Sequence, residues 1–192
     1  MTRILFGVVV GFAVFPLAVL IWMNYGKPSV AVSDPPFFYE KELAKDALHH
    51  RIDLEAPRFA PIQANEENLT AGAKIYHEQC MVCHGLHGKP STIGSRMYPM
   101  APPLWEQHHS EDVVGVSDDP VGETYWKVAN GIRLTGMPAY QGLLTDTEIW
   151  QVSLLLANAN KPLPPAALTL LRDQPQQSPE PAPAKATMEP TD

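Results

Sequence analysis

From Ile4 to Met23 the chain runs twenty residues without a charge, bounded by Arg3 and by Asn24-Tyr25-Gly26-Lys27. A helix rising about 1.5 Å per residue makes this run about 30 Å long, the thickness of a bilayer's hydrocarbon core. Trp22 and Tyr25 stand at its outer end, where aromatic rings favour the interface, and membrane helices tolerate an internal proline such as Pro16. A secretory signal peptide is the competing reading, with Ser29-Val30-Ala31 as its cleavage site. The run is longer than the roughly 7–15 residues of a signal's apolar region, so residues 1–25 are expected to be an uncleaved transmembrane anchor. Arg3 and the terminal amine set against Lys27 favour an N-terminus in the cytoplasm.

Apolar periodicity returns at residue 65. Asn65 suits an N-cap, and Glu66 and Glu67 fall where a helix dipole favours negative charge. Leu69, Gly72, Ala73, Tyr76 and Cys80 then repeat at three- and four-residue spacing, one buried helical stripe. Asp119-Pro120 reads as an N-cap and first helical residue, with Gly131 as the stop and Val121, Tyr125 and Val128 on one face. Thr145-Asp146-Thr147-Glu148 has the spacing of a capping box and opens a last helix that ends before Pro162. Along it Ile149, Val152 or Ser153, and Leu156 line one side, beside Trp150, Leu154 and Ala157.

Between the anchor and this region, residues 26–64 hold five prolines and near-balanced charge. Glu40 to His50 has the makings of a short helix but no sustained apolar stripe, so the segment is expected to be a tether, in part laid on the folded domain. Residues 161–192 hold eight prolines and little apolar bulk beyond Leu163 to Leu171, and a disordered tail is expected there. Residues 65–160 remain as the folded domain.

Composition narrows the function by exclusion. Fourteen basic against twenty-one acidic residues give a net charge of −7, which disfavours nucleic-acid binding. No glycine-rich phosphate cradle is present. Two cysteines are too few for a disulfide scaffold or a four-thiolate metal site.

Those two cysteines lie in Cys80-Met81-Val82-Cys83-His84, the C-x-x-C-H sequence that attaches a c-type haem. Thiols one helical turn apart can add to the two vinyl groups on one porphyrin edge, and the following histidine swings its imidazole under the iron. A redox C-x-x-C expects a βαβ setting and has no use for the histidine. On the far side of the iron, Met137 in Gly136-Met137-Pro138 is the expected thioether ligand, its backbone stiffened by its neighbours, and a His/Met pair raises a haem's potential. Met81, Met97 and Met100 are rivals, and His108 and His109 offer a bis-histidine alternative. Residues 85–118 read as loop. Within it Arg96, Tyr98 and Trp105 are candidates to hydrogen-bond the haem propionates, and one backbone carbonyl, Pro90 being the candidate, should orient His84.

Residues 65–160 resemble a class I, single-haem cytochrome c domain of the small bacterial membrane-anchored kind. The resemblance rests on Cys80-Met81-Val82-Cys83-His84, on Tyr125-Trp126-Lys127-Val128 leading into Gly131-Ile132-Arg133 and Gly136-Met137-Pro138-Ala139-Tyr140, and on Asp146-Thr147-Glu148-Ile149-Trp150-Gln151. It implies an all-α fold of three to four helices around one covalent haem c, here behind an N-terminal transmembrane helix. It also implies that the first and last helices cross closely, with Gly72 and Tyr76 meeting Trp150. The implied function is single-electron transfer rather than enzymatic turnover, without a small-molecule substrate, between membrane-embedded donor and acceptor complexes. Its place would be the periplasmic face of a bacterial inner membrane. The acidic balance suggests partners with basic docking faces. A fixed cytochrome subunit of a membrane oxidoreductase is the alternative, followed by a haem enzyme or gas sensor with an open iron site.

Overall fold

A computed structural model describes residues 2–107 and 112–172, except for the side chains of residues 2–6, 8 and 9. The chain divides into two compact units, Met1–Arg51 and Ile52–Asp192. In the first, α1 (Thr2–Tyr25) contains the uncharged run with Pro16 inside it. Among the described residues, no helix is long and apolar enough to cross a membrane. Trp22, near the end of α1, pairs with Phe37 beyond it, ring centroids 6.4 Å apart.

The second unit is helical. Its elements are the end of α2 (Glu40–Glu55), α3 (Glu66–Ile75), a π turn (Tyr76–Cys80), α4 (Met81–His84), a 3-10 turn (Gly94–Arg96), α5 (Val121–Asn130), α6 (Asp146–Ala157) and α7 (Pro165–Arg172). Among the described residues there are no strands, only isolated bridges. Two helix starts follow the sequence. The Asn65 side chain accepts the Asn68 N–H at 2.9 Å, and Thr145 and Glu148 close a reciprocal capping box. Gly131 (φ 65°) ends α5 as expected. The start of α5 differs: it begins at Val121 with Pro120 as N-cap. Asp119 is drawn instead into an ion pair with Lys127 at 3.2 Å, which also holds Glu123 at 2.6 Å.

The core forms where α3 packs on α6 and α7, and α5 on α6. Its largest fully buried side chains are Tyr76, Ile149, Leu155, Leu171 and Val152. Gly72 sits at the α3–α6 crossing: a Cβ there would overlap the Gln151 carbonyl oxygen and lie 2.7 Å from its carbon. The close approach read from the sequence is therefore present, but the aromatic pairing is different. Tyr76 meets Trp105 edge-on at 5.5 Å, while Trp150 stacks on Tyr125 at 4.1 Å.

Both ends of the folded unit lie outside the boundaries read from the sequence. The 26–64 tether contains α2, and its last part is bound into the second unit. Ile52 is buried, Glu55 accepts the Trp126 indole N–H at 3.0 Å, and a Cβ on Gly122 would overlap the Pro57 carbonyl. At the other end α7 lies within the stretch read as a disordered tail, with Ala167 and Leu171 wholly buried. Pro165 opens this helix, where a missing N–H costs nothing. The remainder of that segment, 173–192, lies outside the described residues, as do His108 and His109.

Candidate haem-binding site

The buried stripe of α3 leads into the π turn, whose looser i→i+5 bonding delivers Cys80 to the start of α4. Cys80 and Cys83 are free, half-buried thiols one turn apart. Burial, with Cys83 beside it, pushes the Cys80 thiol up to about 12. It is thus a neutral thiol, unlike the low-pKa thiolate of a redox C-x-x-C. The absence of strands among the described residues disfavours that reading as well. Neither do the described residues gather three or more His, Cys, Asp or Glu side chains for a metal ion.

Hydroxyl groups brace this segment from three sides. Tyr140 donates to the Gln79 carbonyl at 2.9 Å, Ser91 to the Val82 carbonyl, and buried Tyr76 to the Gly85 carbonyl at 2.7 Å. Burial raises both tyrosines above the ordinary phenol range, Tyr140 to about 12, with Cys80 adding in each case. Gly94 closes on the same segment, since a Cβ there would overlap the Cys83 carbonyl.

His84 ends α4, and its Nδ1–H donates to the Pro102 carbonyl at 2.8 Å. Burial holds its pKa below the ordinary imidazole value, although the Pro102 bond works in the opposite sense. The ring is therefore kept neutral, with Nε2 left as the ligating nitrogen. The orienting carbonyl comes from the 85–118 loop as expected, but from Pro102 rather than Pro90. Eighteen residues separate Pro102 from His84, and no local signal marks its carbonyl among several in that loop.

Met137 is half-buried against the core in a closely tied loop. Thr135 Oγ1 accepts the Met137 N–H at 3.1 Å and donates to the Ile132 carbonyl, and Ile132 N–H bonds the Met137 carbonyl at 3.3 Å. The Tyr140 and Gln141 N–H groups tie the loop's end to the Val128 and Ala129 carbonyls. Of the rival methionines, Met97 rests on this loop: its Sδ would lie 3.0 Å from a Cβ on Gly136. Met81 stays in the attachment segment and Met100 is mostly exposed.

The three propionate candidates separate. Arg96 and Tyr98 are at the surface, whereas Trp105 is buried and its Nε1–H lies near the Tyr76 hydroxyl but makes no hydrogen bond of good geometry among the described residues. A buried donor without a partner costs about 1–3 kcal/mol, and a carboxylate of a bound group would satisfy it. With two thiols in one turn and an imidazole presenting Nε2, the residues fit a covalent haem.

Residues 67–154 match the family model described as cytochrome C oxidase, cbb3-type, subunit III. These residues are a class I c-type cytochrome domain. The match spans somewhat under half of the chain. No curated protein and no solved structure matches the chain. The cytochrome domain carries covalently bound haem c with its iron, and its role is haem-based electron transfer. Pro102, Tyr76 and the buried N–H of Trp105 are what this domain adds to the motif residues.

Proposed function

We propose that the chain carries single electrons between redox complexes at the periplasmic face of a bacterial inner membrane, anchored through α1. Haem c supplies the one-electron couple. Cys80 and Cys83 would hold it covalently, His84 Nε2 and Met137 Sδ would ligate its iron, and Trp105 Nε1–H would take a propionate. The observation that carries the reading is the His84–Pro102 bond, which fixes the imidazole's tautomer and direction and so limits rearrangement between oxidation states. The anchor is supported by the uncharged Ile4–Met23 run inside the 24-residue α1. The description of the matched family favours a second reading, a fixed cytochrome subunit of an oxidase. Purification separates the two: a carrier leaves the membrane in detergent alone, and a subunit co-purifies in constant proportion.

Ligation is tested by redox titration and visible spectra of the wild type and Met137→Ala. The expected result is a lowered potential or a changed spin state in the variant, and a wild-type ferrous form that binds carbon monoxide poorly at neutral pH. An unchanged spectrum moves the ligand elsewhere, with Met97 the next side chain to replace. Ready carbon monoxide binding by the wild type would establish an open iron site and a haem enzyme or sensor.

A further inference from the structure

His84 and Met137, the two ligands proposed above, come from separate parts of the chain, and a side chain outside the attachment motif ties those parts together. The loop of Met137 is fastened at its ends rather than at its tip. Leu134 at the tip is 91% exposed and takes φ 62°, a left-handed position that glycine or asparagine usually fills. Behind the tip, Ile132 N–H bonds the Met137 carbonyl at 3.3 Å. A Cβ on Gly131 would lie 2.6 Å from the Ala139 nitrogen and 2.9 Å from the Met137 carbonyl oxygen, so residues 137–139 lie close against Gly131. Pro138 also fixes its own φ. Little slack is left between Met137 and Tyr140.

Tyr140 is bound at every polar group it has. Its N–H donates to the Val128 carbonyl at 3.0 Å, and its carbonyl accepts the Leu143 and Leu144 N–H groups at 2.9 Å each. Its hydroxyl donates to the Gln79 carbonyl at 2.9 Å, across 61 residues of sequence. The side chain is buried. Phenylalanine would fill the same space with no hydroxyl to desolvate, so the oxygen carries a cost that its partner offsets. Burial keeps the phenol protonated and therefore a donor. Gln79 lies in the π turn, and its carbonyl belongs to the planar peptide unit that leads into Cys80. The other braces on this segment, from Tyr76, Ser91 and Gly94, all come from within residues 76–94. The Tyr140 bond is the one that reaches it from the loop of Met137.

We infer that Tyr140 is a positioning residue for Met137: its hydroxyl ties the methionine's loop to the attachment segment and so favours the ligated iron over iron from which the thioether has swung away. The inference rests on the ligation by His84 and Met137 proposed above. A thioether carries no charge to hold it at the iron, so the position of its loop decides how often that bond opens. Covalent attachment would fix the haem to Cys80, and a bond from the loop to the peptide entering Cys80 then fixes Met137 in the haem's own frame. One further neutral hydrogen bond in the closed state favours it about fivefold, which is about 1 kcal/mol at 1.4 kcal/mol per factor of ten.

The test measures carbon monoxide binding to the reduced full-length holoprotein in detergent. Carbon monoxide takes the position only when Met137 has left it, so its apparent affinity follows the fraction of unligated iron. Tyr140→Phe should bind it about fivefold more tightly than the wild type. Asn65→Ala removes the cap of α3 and a comparable amount of stability, and should bind it as the wild type does. Denaturation of these two variants in parallel checks that they are matched. Met137→Ala should bind carbon monoxide readily, and adding Tyr140→Phe to it should change nothing further. An unchanged affinity in Tyr140→Phe overturns the proposal. So does an equal rise in Asn65→Ala, which makes the effect a general loosening of the domain. A shift of the same size that persists without Met137 overturns it too, because the hydroxyl then acts elsewhere. If Met137→Ala binds carbon monoxide no better than the wild type, the ligation reading fails, and the role of Tyr140 is overturned with it.

Discussion

Leu134 is a residue whose backbone and side chain are both placed at a cost. A left-handed conformation costs a non-glycine residue about 1–2 kcal/mol, and glycine relieves this while adding about 0.5–1 kcal/mol of chain entropy to be lost on folding. With almost no buried area to lose, Leu134→Gly should leave the holo domain more stable by roughly 0.5 kcal/mol, seen as a small rise in melting temperature. The hydroxyl braces make a contrast. Tyr76 is wholly buried, so Tyr76→Phe leaves the Gly85 carbonyl without a partner and should cost about 1–3 kcal/mol. Tyr140→Phe, at a part-buried bond to Gln79, should cost about 1 kcal/mol. Chemical denaturation of the two variants in the same oxidation state orders them.

Among the elements, the α3–α6 crossing is the most sensitive to added volume. A side chain at Gly72 must displace the backbone of Gln151 and Val152, and overpacking of this kind costs about 1–3 kcal/mol. Gly72→Leu should therefore lower the melting temperature of the holo domain clearly; an unchanged melt removes the crossing from the account. At the start of α6, the Thr145 backbone N–H and then its hydroxyl hold the Glu148 carboxylate below its ordinary value of 4.5. A depressed carboxylate contributes stability above the ordinary value and loses it as pH falls through the lowered one. Thermal melts should show this acid-side loss in the wild type and less of it in Glu148→Gln, while Thr145→Ala should cost about 1 kcal/mol near neutrality. The caps at Asn65, Thr145 and Gly131 were legible because each is written within four residues of sequence. The start of α5 was misread because the Asp119 carboxylate has a competing partner, Lys127, eight residues away. α7 was missed because Pro162, Pro164 and Pro165 crowd its approach, although only Pro165 lies in the helix, at its first position. Its stripe, Ala167 and Leu171, finds its place only against α3, far away in sequence.

For the whole molecule, the folded unit runs from Ile52 at least to Arg172 among the described residues. Leu171 is part of its core, and Leu171→Ala should cost about 2–5 kcal/mol. A disordered tail would give no measurable change on denaturation, so this variant tests the enlarged boundary. The attachment chemistry was legible because Cys80, Cys83 and His84 are contiguous. The partner of His84 and the bracing tyrosines were not, and Trp105 could not be told apart from Arg96 and Tyr98, because each depends on contacts between residues distant in sequence. The same distance bears on how the protein is made. Helix α7 packs on α3 and reaches the π turn just ahead of Cys80, yet it is the last described helix to leave the ribosome. A growing chain exposes both thiols well before α7 exists, so a maturation enzyme has an open interval in which to work. Contacts of such long sequence separation also form late. Closure by α7 is then suited to act as the final latch on a domain that has already received its prosthetic group.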